Sequence, residues 1–124
     1  MPLVISTVLQ VLVASTLLWV WLVRSQRPTD YRGGAAKSLK EEFAVYGLPS
    51  WSLYLIGGLK VGSAVALLAG YWFPSILFPV AVLLSFLMAG AIIMHFKVSD
   101  PLKKAAPAST LFVCCIAIAL ANYQ

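Results

Sequence analysis

Long apolar blocks divide this sequence, and they limit the folds that the chain can adopt. The blocks cover residues 3–23, 51–70, 74–95 and 108–123. A helix needs roughly 20 apolar residues to cross the hydrocarbon core of a bilayer. An open sheet cannot span lipid, and these blocks are too long and continuous for barrel strands. The sequence therefore predicts an all-α integral membrane protein, an antiparallel four-helix transmembrane bundle formed as a single domain by residues 1–124.

The charge of the chain supports a membrane location and argues against nucleic acid. Only 10% of the residues are charged and 61% are hydrophobic, whereas a soluble domain is about 25% charged. The net charge is +5, but the basic residues flank the apolar blocks and form no stripe with interleaved aromatic residues. The partner that the composition indicates is the lipid bilayer.

Lysine and arginine counts in the connections predict the orientation of the bundle. All eight cations of the connections fall in the first and third of them: Arg24, Arg27, Arg32, Lys37, Lys40, Lys97, Lys103 and Lys104. Connections rich in lysine and arginine stay in the cytoplasm. We therefore expect both termini outside the cytoplasm, in the cytoplasmic (inner) membrane of a bacterium.

The first connection contains a second helical pattern, over residues 35–46. Leu39, Phe43 and Tyr46 are spaced as one apolar face, which predicts a short amphipathic helix at the membrane surface. The adjacent Glu41 and Glu42 are expected on its solvated face.

Asp100, directly before Pro101 in the third connection, is expected to cap the N-terminus of a helix.

Small residues recur every four positions in the second block, at Gly58, Gly62, Ala66 and Gly70. Such a stripe lets two helix backbones approach closely, so it predicts helix packing on this face. The two cysteines, Cys114 and Cys115, are adjacent and lack metal-ligand spacing, which favours a packing role in the fourth block.

Lys60 is a charge in the middle of the second block. It lies about nine residues inside it, or roughly 13 Å deep at 1.5 Å per residue, where a lysine costs roughly 2.5 to 3.5 kcal/mol. Thr16 and Ser85 fall at a similar depth, and Ser63 lies on the Lys60 side of its helix. Two interpretations stay open: Lys60 binds an anionic or carbonyl-bearing ligand, or hydroxyls and carbonyls satisfy it without a ligand.

His95 ends the third block, and Asp100 follows it after a turn. The pair is a candidate for acid–base chemistry or for holding a quinone-like head group. The competing interpretation is a histidine that fixes the turn. A lone histidine favours neither a metal nor a haem site. The sequence therefore identifies no cofactor with certainty, and a quinone is the candidate.

The sequence resembles the DoxX-like family of four-helix membrane proteins. The segments that carry the resemblance are "EEFAVYGLPSW", "GGLKVGSAVALLAG" and "MAGAIIMHFKVSDPLKKAAPA". The resemblance implies the four-helix fold. The family namesake is tied to thiosulfate:quinone oxidoreduction, and eukaryotic relatives with a similar His…Asp-Pro-Leu-Lys segment act as chaperones for acetylcholine receptors. Many family members place a glutamate where this sequence has Lys60, so a role built on that carboxylate does not carry over.

Three functions remain open at this stage. The first is a protein that binds a small apolar or quinone-like ligand near Lys60, as a redox-associated membrane subunit. The second is an assembly factor or partner subunit, associated with another membrane protein or a second copy of the chain. The third is a membrane enzyme acting on an apolar substrate at His95, so the sequence leaves enzymatic activity undecided.

Overall fold

The computed structural model describes residues 3–23, 34, 36 and 38–123, and every regular element in these ranges is helical. Helix α1 covers Leu3–Leu18 and continues as a π-helical turn over Trp19–Val23. The short helix α2 covers Leu39–Val45, and α3 covers Ser50–Ala69. A 3₁₀ turn over Pro74–Ile76 leads into α4, which covers Leu77–Lys97, and α5 covers Leu102–Ala121. Four helical segments in these ranges are long and apolar enough to cross a membrane. The predicted all-α class is therefore confirmed, and the chain is an integral membrane protein. Arg24, Arg27, Arg32 and Lys37, which the orientation prediction used, lie outside the described residues.

The four long helices form a closed ring around one apolar core. Helix α1 packs against α3 and α5, and α4 packs against the same two helices. The core consists of small and medium side chains: Val13, Ala14, Leu17, Ala64, Leu67, Leu77, Ala81, Leu84, Met88, Leu111, Cys115, Ile118 and Ala119. In lipid, close packing of such side chains holds helices together, because the surroundings are as apolar as the core.

The outer surface of the bundle is also apolar. Val4, Phe86 and Leu120, on three different helices, are each more than 70% exposed. In water such a surface would aggregate, whereas in a bilayer it contacts acyl chains. Contact with the lipid bilayer therefore follows from the structure.

Helix α2 begins and ends through local signals in the sequence. The Ser38 hydroxyl accepts a hydrogen bond from the Glu41 N–H at 3.2 Å, as in a capping box. At the other end Gly47 has a φ of +77°, and the Leu48 N–H bonds the Phe43 carbonyl at 3.0 Å. A positive φ favours glycine and ends the helix.

Helix α5 begins at Leu102, six residues before the predicted block. The predicted block begins with the apolar run at residue 108, and the prediction counts Lys103 and Lys104 among the residues of the third connection. Lysine, leucine and alanine are good helix formers, so the helix continues beyond the apolar block toward the cation-rich end of the bundle, where Lys97, Lys103 and Lys104 lie. The resulting helix has 20 residues, enough to cross the bilayer.

Within the described bundle, no helix packs against the first two glycines of the predicted stripe on α3. Gly58 and Gly62 are exposed, and no described atom lies within 4 Å of the position that a Cβ would take. Gly57 packs instead, because a Cβ there would lie 2.7 Å from the Trp21 ring. Gly70 agrees with the prediction, since its Cβ would overlap the Leu77 side chain.

Candidate functional site

A cavity of about 830 Å³ lies in the cation-rich half of the bundle. All five helices contribute to its wall, and α2 covers it. Of the six predicted ligand-binding residues, Thr16, Lys60 and His95 line the cavity. Ser63, Ser85 and Asp100 are not in its wall. The volume is within the range of about 300–1,000 Å³ that is typical of small-molecule sites.

Lys60 projects into the cavity from the middle of α3. It lies ten residues beyond Ser50, about 15 Å along the helix. Its Nζ atom is 5.3 Å from the centroid of the Trp21 ring, a cation–π contact. The π-helical turn at the end of α1 carries Trp21, and Gly57 leaves the space in which the ring lies against α3.

The Lys60 ammonium has three N–H donors, and the described residues supply no hydrogen-bond acceptor for them. The predicted layer of hydroxyls around it is wrong. The Ser85 hydroxyl donates to the Ala81 carbonyl at 2.8 Å, and the Thr16 hydroxyl donates to the Leu12 carbonyl at 2.8 Å. Serine and threonine in a helix commonly bond the carbonyl one turn earlier. Each hydroxyl still has acceptor lone pairs, but among the described residues no hydrogen bond joins either of them to Lys60.

Glu42 is buried at the cavity, which corrects the prediction that it is solvated. Its side chain accepts a hydrogen bond from the Tyr46 hydroxyl at 2.6 Å. Its negative charge attracts the Lys60 ammonium. Glu41, beside it, is exposed as predicted. Glu42 follows Leu39 by three residues, so it lies on the same face as the apolar positions. That spacing is the signal by which the sequence could have revealed it.

Asp100 joins the α4–α5 turn to the segment before α2. One carboxylate oxygen is 2.7 Å from His95 Nδ1, and the other accepts the Gly34 N–H at 3.0 Å. It does not cap α5, since Pro101 occupies that position and no side chain caps the helix. The expected cap is therefore wrong, because the carboxylate is already used by His95 and Gly34.

Several interactions determine the charge of Asp100. Burial raises the pKa of this carboxyl, but the hydrogen bonds from His95 and Gly34 lower it, as does the charge of Lys104 with Nζ at 3.9 Å. The net pKa lies below the ordinary value, so the group is a carboxylate at neutral pH. The carboxylate accepts the Nδ1 proton of His95, and this leaves Nε2 to face Tyr46 and the cavity.

The polar side chains of the site form one continuous chain. His95 Nε2 is 3.4 Å from the Tyr46 hydroxyl, which donates in turn to Glu42. Asp100, His95, Tyr46 and Glu42 are thus linked in sequence. The contacts with Asp100 and Tyr46 hold the imidazole in one orientation. The Tyr46 hydroxyl has a single proton, which it donates to Glu42, so toward His95 Nε2 it can only accept a hydrogen bond.

The structure places no three histidine, cysteine or acidic side chains close enough to hold a metal ion among the residues that it describes. Cys114 and Cys115 are free thiols away from the cavity.

Fold and site together define a four-helix integral membrane protein with a cavity whose polar end is buried beneath a short helix. The sequence profile of the DoxX-like family matches residues 8–120, and the chain belongs to this family. The predicted resemblance is confirmed. No curated protein matches the chain, and no solved structure does so either.

Proposed function

We propose that this DoxX-like protein binds a small membrane-soluble ligand, quinone-like or another apolar molecule with a polar head, in the cavity near Lys60. The observation that carries the proposal is the Lys60 ammonium, which lines the cavity without a hydrogen-bond acceptor from the described residues. An ammonium at mid-membrane depth is costly unless an acceptor stabilises it, and a ligand oxygen would supply one. A redox-associated membrane subunit is the role that a quinone-like ligand would indicate.

The test is native mass spectrometry of the detergent-purified protein, with organic extraction of the bound material. We expect a defined ligand on the wild type and about a tenfold lower occupancy on Lys60→Met. Lys40→Met is the matched control, because Lys40 is exposed on α2 and lies outside the cavity wall. A wild type without ligand, with Lys60→Met equally stable, would contradict the proposal.

A second candidate function is that of a partner subunit or assembly factor. Gly58 and Gly62 face outward on α3 with open space beside them, where another transmembrane helix could pack. This alternative predicts that Gly62→Leu loses a co-purifying protein while Lys60→Met retains it. Ligand binding predicts the reverse sensitivity.

We also propose an orientation. Lys97, Lys103 and Lys104 lie at the same end of the bundle as α2, and the positive-inside rule assigns this end to the cytoplasm. The termini would then face away from the cytoplasm, in the inner membrane of a bacterium.

A further inference from the structure

We propose that the cavity holds a long-chain amphiphile taken from the bilayer. Its head, which presents an acceptor oxygen, lies by Lys60 and His95, and its hydrocarbon chain leaves the bundle past Phe86 and Gly90 of α4. This inference rests on the proposed function, and it specifies the class of ligand and the side from which the ligand comes.

The wall of the cavity offers both kinds of surroundings that such a molecule requires. The ionisable side chains of its described wall are Glu42, Tyr46, Lys60, His95 and Lys104. Four of them lie near the end that α2 covers, and Lys60 lies deeper, about 15 Å along α3. Beside Lys60, at a similar depth of about 13–16 Å, the wall is hydrocarbon, with Phe86, Leu87, Met88 and Leu111. A polar head and an apolar chain would each find matching surroundings.

Helix α2 covers the end of the cavity that is nearest to water. Leu39, Phe43 and Tyr46 are each at most 8% exposed, and all three line the cavity. The helix is tied down at both ends. The Lys97 ammonium donates to the Tyr46 carbonyl at 2.8 Å, and the segment before the helix bonds Asp100 through the Gly34 N–H.

The α4 side of the cavity, in contrast, reaches the lipid. Phe86, Gly90 and Met94 follow each other at intervals of four, so they form one stripe along the helix, and all three line the cavity. Phe86 is 73% exposed and lies about 16 Å from the end of α4, within the hydrocarbon layer. No described atom lies within 4 Å of the position that a Cβ on Gly90 would take. The stripe is therefore an opening toward acyl chains.

The experiment uses parinaric acid, a long-chain carboxylate whose polyene accepts fluorescence energy from tryptophan. The protein is reconstituted in phosphatidylcholine vesicles with Trp51→Phe and Trp72→Phe, two exposed residues outside the cavity wall. Trp19 and Trp21, which line the cavity, remain as donors. We expect energy transfer that saturates with the mole fraction of the acid in the membrane. Butanoate, which has the same head and almost no chain, should not displace it.

Gly90→Leu tests the opening, and Gly62→Leu is its matched control. Both glycines lie inside a helix with open space beside them, but only Gly90 lines the cavity. We expect Gly90→Leu to weaken parinaric acid binding about tenfold or more, and Gly62→Leu to leave it unchanged. If circular dichroism shows that a leucine variant does not fold, Gly90→Ala against Gly62→Ala gives the same comparison.

Wild-type affinity in Gly90→Leu, displacement by butanoate, or the absence of saturable transfer in the wild type would each overturn this inference. None of these results decides the proposed function, because the occupancy of Lys60→Met is measured on the ligand that co-purifies. A ligand lost from Lys60→Met together with normal parinaric acid binding by Gly90→Leu would leave a binding protein whose ligand does not leave along α4.

Discussion

Lys60 lies about 15 Å along α3. Its ammonium rests over the Trp21 ring, and the negative face of an aromatic ring stabilises a cation without supplying a lone pair for each N–H. Glu42 adds a long-range attraction but is already bonded by the Tyr46 hydroxyl. Such an ammonium is held in place while the described residues leave its donors available, and this combination suits a ligand better than a structural ion pair does.

Asp100 connects the turn between α4 and α5 to His95 and Gly34. Because its carboxylate is charged, the contribution of these contacts to stability can be tested through its dependence on pH. Its pKa in the folded protein lies below the ordinary value of 3.8, because its hydrogen bonds and neighbouring charges outweigh burial. A carboxyl with a depressed pKa contributes stability above its unfolded-state pKa, and this contribution is lost as the pH falls through the folded-state pKa. We expect Asp100→Asn to cost about 2 kcal/mol of unfolding free energy at neutral pH. The loss should shrink below about pH 4.

The measurement is thermal unfolding of both proteins in detergent between about pH 7 and pH 3. The difference between the two profiles isolates Asp100 from the other carboxyl groups, which both proteins share. Parallel profiles, with the same offset at every pH, would show that the Asp100 charge is not what ties His95 and Gly34 together.

At the scale of elements, the two adjacent glycines of α3 separate a packed face from a lipid face. A Cβ on Gly57 would lie 2.7 Å from the Trp21 ring, whereas a Cβ on Gly58 meets no described atom within 4 Å. We expect Gly57→Ala to displace the ring and to cost about 1–3 kcal/mol. Gly58→Ala should be neutral or stabilising by up to about 1 kcal/mol, because alanine favours helix.

Denaturation of the two alanine variants in detergent, followed by circular dichroism, checks this pair. The substitution is identical and the sites are neighbours, so the comparison needs no further control. Equal stabilities would mean that Trp21 does not pack against α3 where the structure places it. Trp21 fluorescence should also shift in Gly57→Ala alone.

The helices could be predicted from the sequence because apolar length alone decides which segments cross a bilayer. The face that each helix turns inward could not. Gly57 and Gly58 are about 100° apart around the helix, and the small-residue stripe begins at Gly58, because Val61 and Val65 follow Gly57 at the same spacing. Only the packing of Trp21 shows that Gly57 lies on the packed face. The sequence predicts a ligand site near Lys60, but the wall of the cavity depends on how α2 covers the ends of the long helices, and no spacing within one helix reveals that.

The surroundings of charged residues are also difficult to predict from the sequence. The sequence predicts Glu42 on a solvated face together with Glu41, Lys37 and Lys40, although its spacing from Leu39 puts it on the buried face. The pairing of His95 with Asp100 could be anticipated, since a short turn separates them. Their second connections, from His95 to Tyr46 and from Asp100 to Gly34, span 49 and 66 residues, which no local pattern reports.

Over the whole molecule, the two ends of the bundle are built differently. At the end away from α2, the Gln10 amide bonds the Leu67 carbonyl at 3.1 Å and accepts a hydrogen bond from Ser6, which in turn accepts one from Asn122 at 3.0 Å. These contacts tie α1 to α3 and α5. The end that α2 covers holds the cavity instead. One end is thus joined by hydrogen bonds between helices, and the other end contains the cavity in which we propose that a ligand binds.

This difference between the ends makes the orientation of the bundle measurable with single cysteines. In a background with Cys114→Ser and Cys115→Ser, Ser75→Cys places a thiol in the turn before α4, and Lys103→Cys places one beside the cavity end. Both positions are exposed. We expect a membrane-impermeant maleimide to label Ser75→Cys in intact bacterial cells, because the positive-inside rule keeps the lysine-rich end in the cytoplasm.

Lys103→Cys should react only after the cells are permeabilised, and that second reaction is the control for thiol reactivity. Labelling of Lys103→Cys in intact cells, with Ser75→Cys protected, would reverse the orientation and turn α2 toward the outside. The cavity would then receive its ligand from the outer leaflet, because the opening at Phe86 lies at a fixed depth relative to α2. The expected labelling pattern instead gives the cytoplasmic leaflet as the source from which the cavity fills.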